Sequence, residues 1–215
     1  MEAASVALAR KRQLHRRALR LEYFTVAWNV IEAGVAITAG VIAGSVALIG
    51  FGADSAIEVL AAVALLWRLR RAGADADTAT EQQAERRALY AVAATFFLLA
   101  AYITFEALSA LLSGEEPESS TVGIVLSAVS LAVMPVLAHW KRRTGREMGS
   151  AALQADAVET WVCSYLSLAL LIGVGSYGAF GWAWADPVGA LLMLPVIVWQ
   201  GWETLEEARE GDERD

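Results

Sequence analysis

All 17 lysines and arginines of this 215-residue chain fall in four short blocks: six in residues 10–20, five in 68–87, four in 141–146 and two in the C-terminal tail. Between the blocks run long stretches almost free of charge, a segregation that suits a bilayer and not a water-facing surface closed around one core. The hydrophobic share of 57% and the mean hydropathy of +0.46 both exceed what soluble domains carry. Six stretches, at 23–49, 51–67, 88–112, 121–140, 151–174 and 187–205, are long enough as helices to cross the roughly 30 Å of bilayer hydrocarbon. The expected fold class is all-α integral membrane, with six transmembrane helices and a turn at Gly50 between the first two.

Six alternating spans put all four basic blocks on one side. The opposite connections carry no Lys or Arg, and the longest of them, SGEEPESST at 113–121, is acidic. The bias of Lys and Arg toward the cytoplasm then sets both termini inside, in a plasma (inner) membrane of bacterial type. Trp67, Trp140 and Trp202 fall near expected inner helix ends and Trp182 and Trp184 near an outer one, as interfacial anchors do. Residues 1–22 read as a cytoplasmic basic leader, 23–205 as the transport domain and 206–215 as a short acidic cytoplasmic tail. The leader has no apolar core or cleavage site of its own. The net charge of −7 says little about nucleic acid, since the basic groups are juxtamembrane, but no recognition motif occurs and no nucleic-acid partner is expected. Membrane lipid is the expected surroundings.

Within this apolar background, GFGADSAIEVLAAVALLW at 50–67 holds two acids, Asp54 and Glu58. An Asp at the centre of a membrane helix costs about 2.5–3.5 kcal/mol on insertion scales, and such residues usually face a bundle interior or an aqueous cavity. Four residues apart, these two share one helix face, where they repel unless a proton or cation lies between them. No Lys or Arg falls inside a predicted span to pair with them. The fifth stretch answers with ALQADAVETWVCS, in which Asp156, Glu159 and Cys163 line one stripe that continues to Ser167. Carboxylates facing a thiolate from a second helix suit a divalent transition metal, zinc and its neighbours above all.

Other polar residues carry less. Asn29 and Glu32 on the first helix and Glu106 on the third fit outer hydrogen-bonding, proton-carrying or packing roles, while Gly34, Gly40, Gly44 and Ser45 suit close helix packing. His139 reads as interfacial and His15 as solvated. Asp186-Pro187 reads as the N-cap and first position of the sixth helix. Cys163 is the one cysteine, so no intrachain disulfide exists. Short echoes between the halves, such as Ala53-Asp54 with Glu58 and Ala155-Asp156 with Glu159, raise the question of internal duplication.

These residues resemble a known family. A first helix with Asn29, Glu32 and Gly44-Ser45-Val46-Ala47-Leu48, a second with Asp54-Ser55 and an acid four residues on, and a fifth opening Leu153-Gln154-Ala155-Asp156 look like the membrane domain of the cation diffusion facilitators. The resemblance covers roughly residues 20 to 205. It implies six helices, exchange of cytoplasmic Zn²⁺ or a related divalent ion for protons, and a midway site with two residues from helix two and two from helix five. By that similarity the pairs are Asp54 with Glu58 and Glu159 with Cys163. The chain departs from the family pattern with Glu58 where Asp is common, no His on helix five, and Cys163 in place of the last carboxylate; Asp156 is the alternative fourth ligand. It also resembles a short branch confined to the membrane, in which a homodimer would form through the helices.

The resulting expectation is a proton-coupled antiporter exporting a divalent cation, Zn²⁺ first, by alternating access. The cation is the transported substrate and no cofactor is expected. Neither an HExxH nor a GxSxG pattern occurs, which argues against an intramembrane enzyme. Proton-coupled transport of another solute, and a membrane scaffold or partner subunit, are the competing readings.

Overall fold

The computed structural model describes residues 2–71, 78–114, 118 and 120–210. They form six helices: α1 (Glu2–Ala43), α2 (Val46–Arg71), α3 (Thr78–Ser113), α4 (Thr121–Met148), α5 (Ala151–Phe180) and α6 (Ala185–Glu210). All six are long and apolar enough to cross a membrane. The helices outrun the apolar stretches because the basic blocks continue them: α1 takes in the basic leader, and α4 runs through Lys141–Arg146 to an αL cap at Gly149. Ser150 then caps α5 through the Leu153 amide, so two residues separate the helices. This Gly-Ser pair combines the usual stop and start signals.

The turn between α1 and α2 lies at Gly44, with φ +64°, and not at Gly50. Gly44 provides the left-handed conformation that a side chain resists. Ser45 follows as the N-cap of α2, accepting from the Leu48 amide at 3.1 Å. Gly50 is inside α2, where a Cβ would lie 2.8 Å from Ile103 of α3.

Asp186 also departs from expectation. It sits in the first turn of α6, yet its carboxylate accepts from the Ser45 hydroxyl (2.5 Å), Val46 N (2.9 Å) and Ala47 N (3.4 Å). A helix start has orphan N–H groups and a partial positive charge, and this buried acid meets both. Asp186 therefore serves α2, about 140 residues earlier in the chain.

Helix α2 packs against α1, α3, α5 and α6, and α5 against α2, α4 and α6. The most apolar window of α2 is 61% buried and that of α5 56%, against 28–33% for the other four helices. Phe51 and Leu48 of α2, Ile103 of α3, Leu166 and Leu170 of α5, and Met193 and Ile197 of α6 fill the core. The outward faces are apolar too: Ile42, Leu98, Phe105 and Leu112 are exposed, as surfaces solvated by lipid tails would be. Trp140, Trp182, Trp184 and Trp202 are half-exposed, with Trp182 stacked on Trp184 at a centroid distance of 5.3 Å.

Glycine lets the central helices approach. A Cβ on Gly52 would lie 2.8 Å from Ile37 Cγ1 and 2.9 Å from the Ile37 backbone nitrogen, whereas one on Gly34 would meet nothing within 4 Å. Gly173 and Gly189 bring α5 and α6 together in the same way. Gly52→Leu is expected to lower the unfolding temperature in detergent, at a cost of about 1–3 kcal/mol. Gly34→Ala should leave that temperature level or raise it. Asp186→Ala, which strips α2 of its acceptor, should cost about 1–3 kcal/mol in the same measurement.

Candidate metal centre

Asp54 and Glu58 stand one turn apart on the buried face of α2, and Cys163 faces them from α5. One donor atom from each of the three lies within 4.8 Å of the other two. All three are buried, and among the described residues they form the one group of this kind. Zinc-like ions bind oxygen and sulfur at about 2.0–2.3 Å, which holds tetrahedral donors roughly 3.3–3.8 Å apart. A side-chain-scale contraction closes the difference.

The hydrogen bonds around the cluster are uneven. Asn29 of α1 donates Nδ2 to Glu58 Oε2 at 2.7 Å. Neither oxygen of Asp54 has a hydrogen-bond partner, nor has Glu58 Oε1. Buried acceptors without donors are rare because each loses its water without replacement. Three of them beside a thiol make a donor set shaped for a cation, and the sulfur favours a transition metal over a hard ion such as Mg²⁺. Ser167, one turn beyond Cys163, returns its hydroxyl to the Cys163 carbonyl at 2.8 Å and leaves the thiol alone.

Glu159 is half-buried and lies within electrostatic reach of Glu58. It flanks the three-donor cluster and is not one of its members.

Asp156 is elsewhere. Its Oδ2 lies 2.5 Å from Nζ of Lys141, whose ammonium is also 3.5 Å from Glu22 Oε1. The structure therefore places Asp156 in an ion pair outside the three-donor cluster and corrects the premise that no cation lies among the spans. Lys141 falls one residue beyond the predicted fourth stretch, but α4 continues through it and turns it between α1 and α5, where it is fully buried. Glu22, at the end of the leader, was not singled out by sequence; its signal was its isolation, as the one acid between Glu2 and Glu32.

Glu32 is fully buried beside the cluster. It accepts from the Ser55 hydroxyl at 3.1 Å and from Trp28 Nε1 at 3.3 Å. Because Ser55 follows Asp54 directly, Glu32 is tied to the ligand-bearing turn. Glu106 is half-buried on α3, outside the three-donor cluster. His139 is exposed beside Trp140, with the rings edge-on at 6.0 Å.

Titration with Co²⁺ separates the two candidates for the sulfur or fourth position. A thiolate ligand gives a near-ultraviolet sulfur-to-cobalt charge-transfer band. That band is expected in the wild type and in Asp156→Asn, and should vanish in Cys163→Ser. Asn29→Leu, which frees Glu58 Oε2, should weaken Co²⁺ binding by roughly 10–100-fold, as the loss of a ligand's supporting hydrogen bond does.

Two comparisons with known proteins bear on this geometry. The family model described as the cation efflux transmembrane domain matches residues 23–210, a range that holds every residue of the cluster. An uncharacterized transporter of Synechocystis sp. (strain ATCC 27184 / PCC 6803 / Kazusa) is 28% identical over 177 residues, which is 81% of this chain and 57% of that protein. The chain thus spans little more than half the length of this relative.

Proposed function

The chain belongs to the cation efflux family, as its transmembrane domain, and from that premise we propose that it exports a divalent transition-metal cation in exchange for protons. Zn²⁺ is the first candidate substrate. The observation that carries the reading is the convergence of Asp54, Glu58 and Cys163 on one buried point, with three carboxylate oxygens lacking any donor.

The proposed cycle needs only these groups and a bundle that opens alternately to each side. Facing inward, Asp54 and Glu58 are ionised, Cys163 gives up its proton, and the three take the metal, with Glu159 at hand to complete four-coordination. Facing outward, protons compete for the same atoms and the metal leaves, since metal ligands must shed protons to bind. Asn29 keeps Glu58 in register throughout. The basic blocks support a cytoplasmic placement of both termini in a plasma membrane, and a homodimer would use the exposed apolar faces of the helices.

The test is uptake into proteoliposomes holding a metal-sensitive dye, under an imposed pH gradient, with Zn²⁺, Co²⁺, Mn²⁺ and Fe²⁺ offered separately. The expected outcome is wild-type uptake of Zn²⁺ and Co²⁺ that depends on the gradient, and a loss of at least tenfold in Asp54→Asn with unchanged insertion. Metal uptake by Asp54→Asn at the wild-type rate would remove the site assignment. No uptake of any metal by folded wild type would turn the reading toward another solute or a scaffold.

A further inference from the structure

Glu22 of α1, Lys141 of α4 and Asp156 of α5 form a second buried ionic cluster, seven residues along α5 from Cys163. At about 1.5 Å per residue that is roughly 10 Å along the helix axis. Glu22 and Lys141 are fully buried and Asp156 is 8% exposed. Two carboxylates and one ammonium leave one negative charge in excess, and burying an uncompensated charge is among the costliest arrangements a protein can hold.

The local geometry says how the excess is met. Lys141 sits against Asp156 at 2.5 Å and farther from Glu22, at 3.5 Å. Apart from that ammonium, no hydrogen-bond donor among the described residues reaches either Glu22 oxygen. The Glu22 and Asp156 carboxyl groups thus share one ammonium between them. One ammonium cannot neutralise two buried carboxylates, and a proton on one of them removes the excess charge. Other nearby polar groups are committed: the Thr25, Thr144 and Thr160 hydroxyls return to the carbonyls of Leu21, Trp140 and Asp156. Glu58 of α2 also interacts electrostatically with Lys141.

We propose that Glu22, facing Asp156 and Lys141, is a proton-binding site separate from the metal cluster, and that its proton leaves when the metal binds. The inference rests on the exchange reading above and adds to it a second place where protons are held. The step balances simply. The O–H bond of the Glu22 carboxyl breaks, the proton passes to water at the basic end of the bundle, and the cluster keeps one negative charge, now offset by the divalent ion near Glu58. When the metal departs, a proton returns.

The experiment counts protons. The purified 215-residue chain in detergent, weakly buffered at neutral pH with a pH-sensitive dye, is titrated with Zn²⁺, and bound zinc is measured on the same samples. Wild type is expected to release about one proton more per zinc than Glu22→Gln, with the same number of zinc ions bound by both. Glu22→Gln leaves a neutral Lys141–Asp156 pair, which favours its folding. Asp156→Asn, which removes the other carboxylate, should lose the same proton and serves as the second variant. Equal proton release per zinc in wild type and in either folded variant would overturn the proposal. Asp54→Asn separates the two readings. Loss of zinc binding there supports the metal cluster, while retained binding removes that cluster and leaves the Glu22 count to be read as before.

Discussion

The structure turns on how carboxylates can be held in a low-dielectric bundle without lysine or arginine beside each of them. Five of the buried acids among the described residues are met to different degrees. Asp186 is met by the amides and hydroxyl at the start of α2, Glu32 by a serine and an indole, and Asp156 by Lys141. Glu58 is met on one oxygen by Asn29 and left open on the other, and Asp54 is left open on both. The graded satisfaction separates structural acids from functional ones better than burial does, since all of them are buried.

The helices follow from this requirement. Only α2 and α5 are mostly enclosed by protein, and they carry the proposed ligands, where an open carboxylate facing lipid would be far costlier. Enclosing them requires close neighbours on several sides, which Gly52 and Gly173 permit by letting α1 and α6 approach backbone to backbone. Asp186 then anchors the start of α2 about two turns above Asp54. The ligand-bearing face is thereby fixed at one end by an interaction from α6 and at its middle by one from α1.

Much of this was legible in the sequence. The hydropathy pattern yields the six spans, and the register of Asp54 with Glu58 yields the shared face of α2 that the structure turns toward Cys163, because the 3.6-residue period decides which side chains share a face. Three features were not legible, each for a reason of distance. Gly50 and Gly44 are equally good turn residues locally, and only the Asp186 carboxylate arriving from α6 selects a helix start at Val46. Lys141 belongs by composition to a basic loop, and becomes a buried counter-ion only because α4 continues and α1 lies beside it. Asp156 falls in the same stripe as Glu159 and Cys163, but a helix stripe does not say which neighbour each rung meets.

The two ionic clusters are placed so that each feels the other. Metal binding with loss of the Cys163 proton raises the charge of the ligand cluster by one, and one unit of charge roughly 10 Å away is worth about 1.7 kcal/mol at an effective dielectric of 20, a bias in proton occupancy of order tenfold. That is large enough to link metal binding to proton loss at Glu22 without a moving part between them, and small enough to reverse when the metal leaves. Lys141 sharpens the link: its ammonium already neutralises Asp156, so the proton on Glu22 is the mobile charge of the group. A cluster with a second lysine would be neutral without a proton, and one with none would hold its protons too firmly. The one-lysine, two-carboxylate arrangement lies between those limits, where a single arriving cation can tip it.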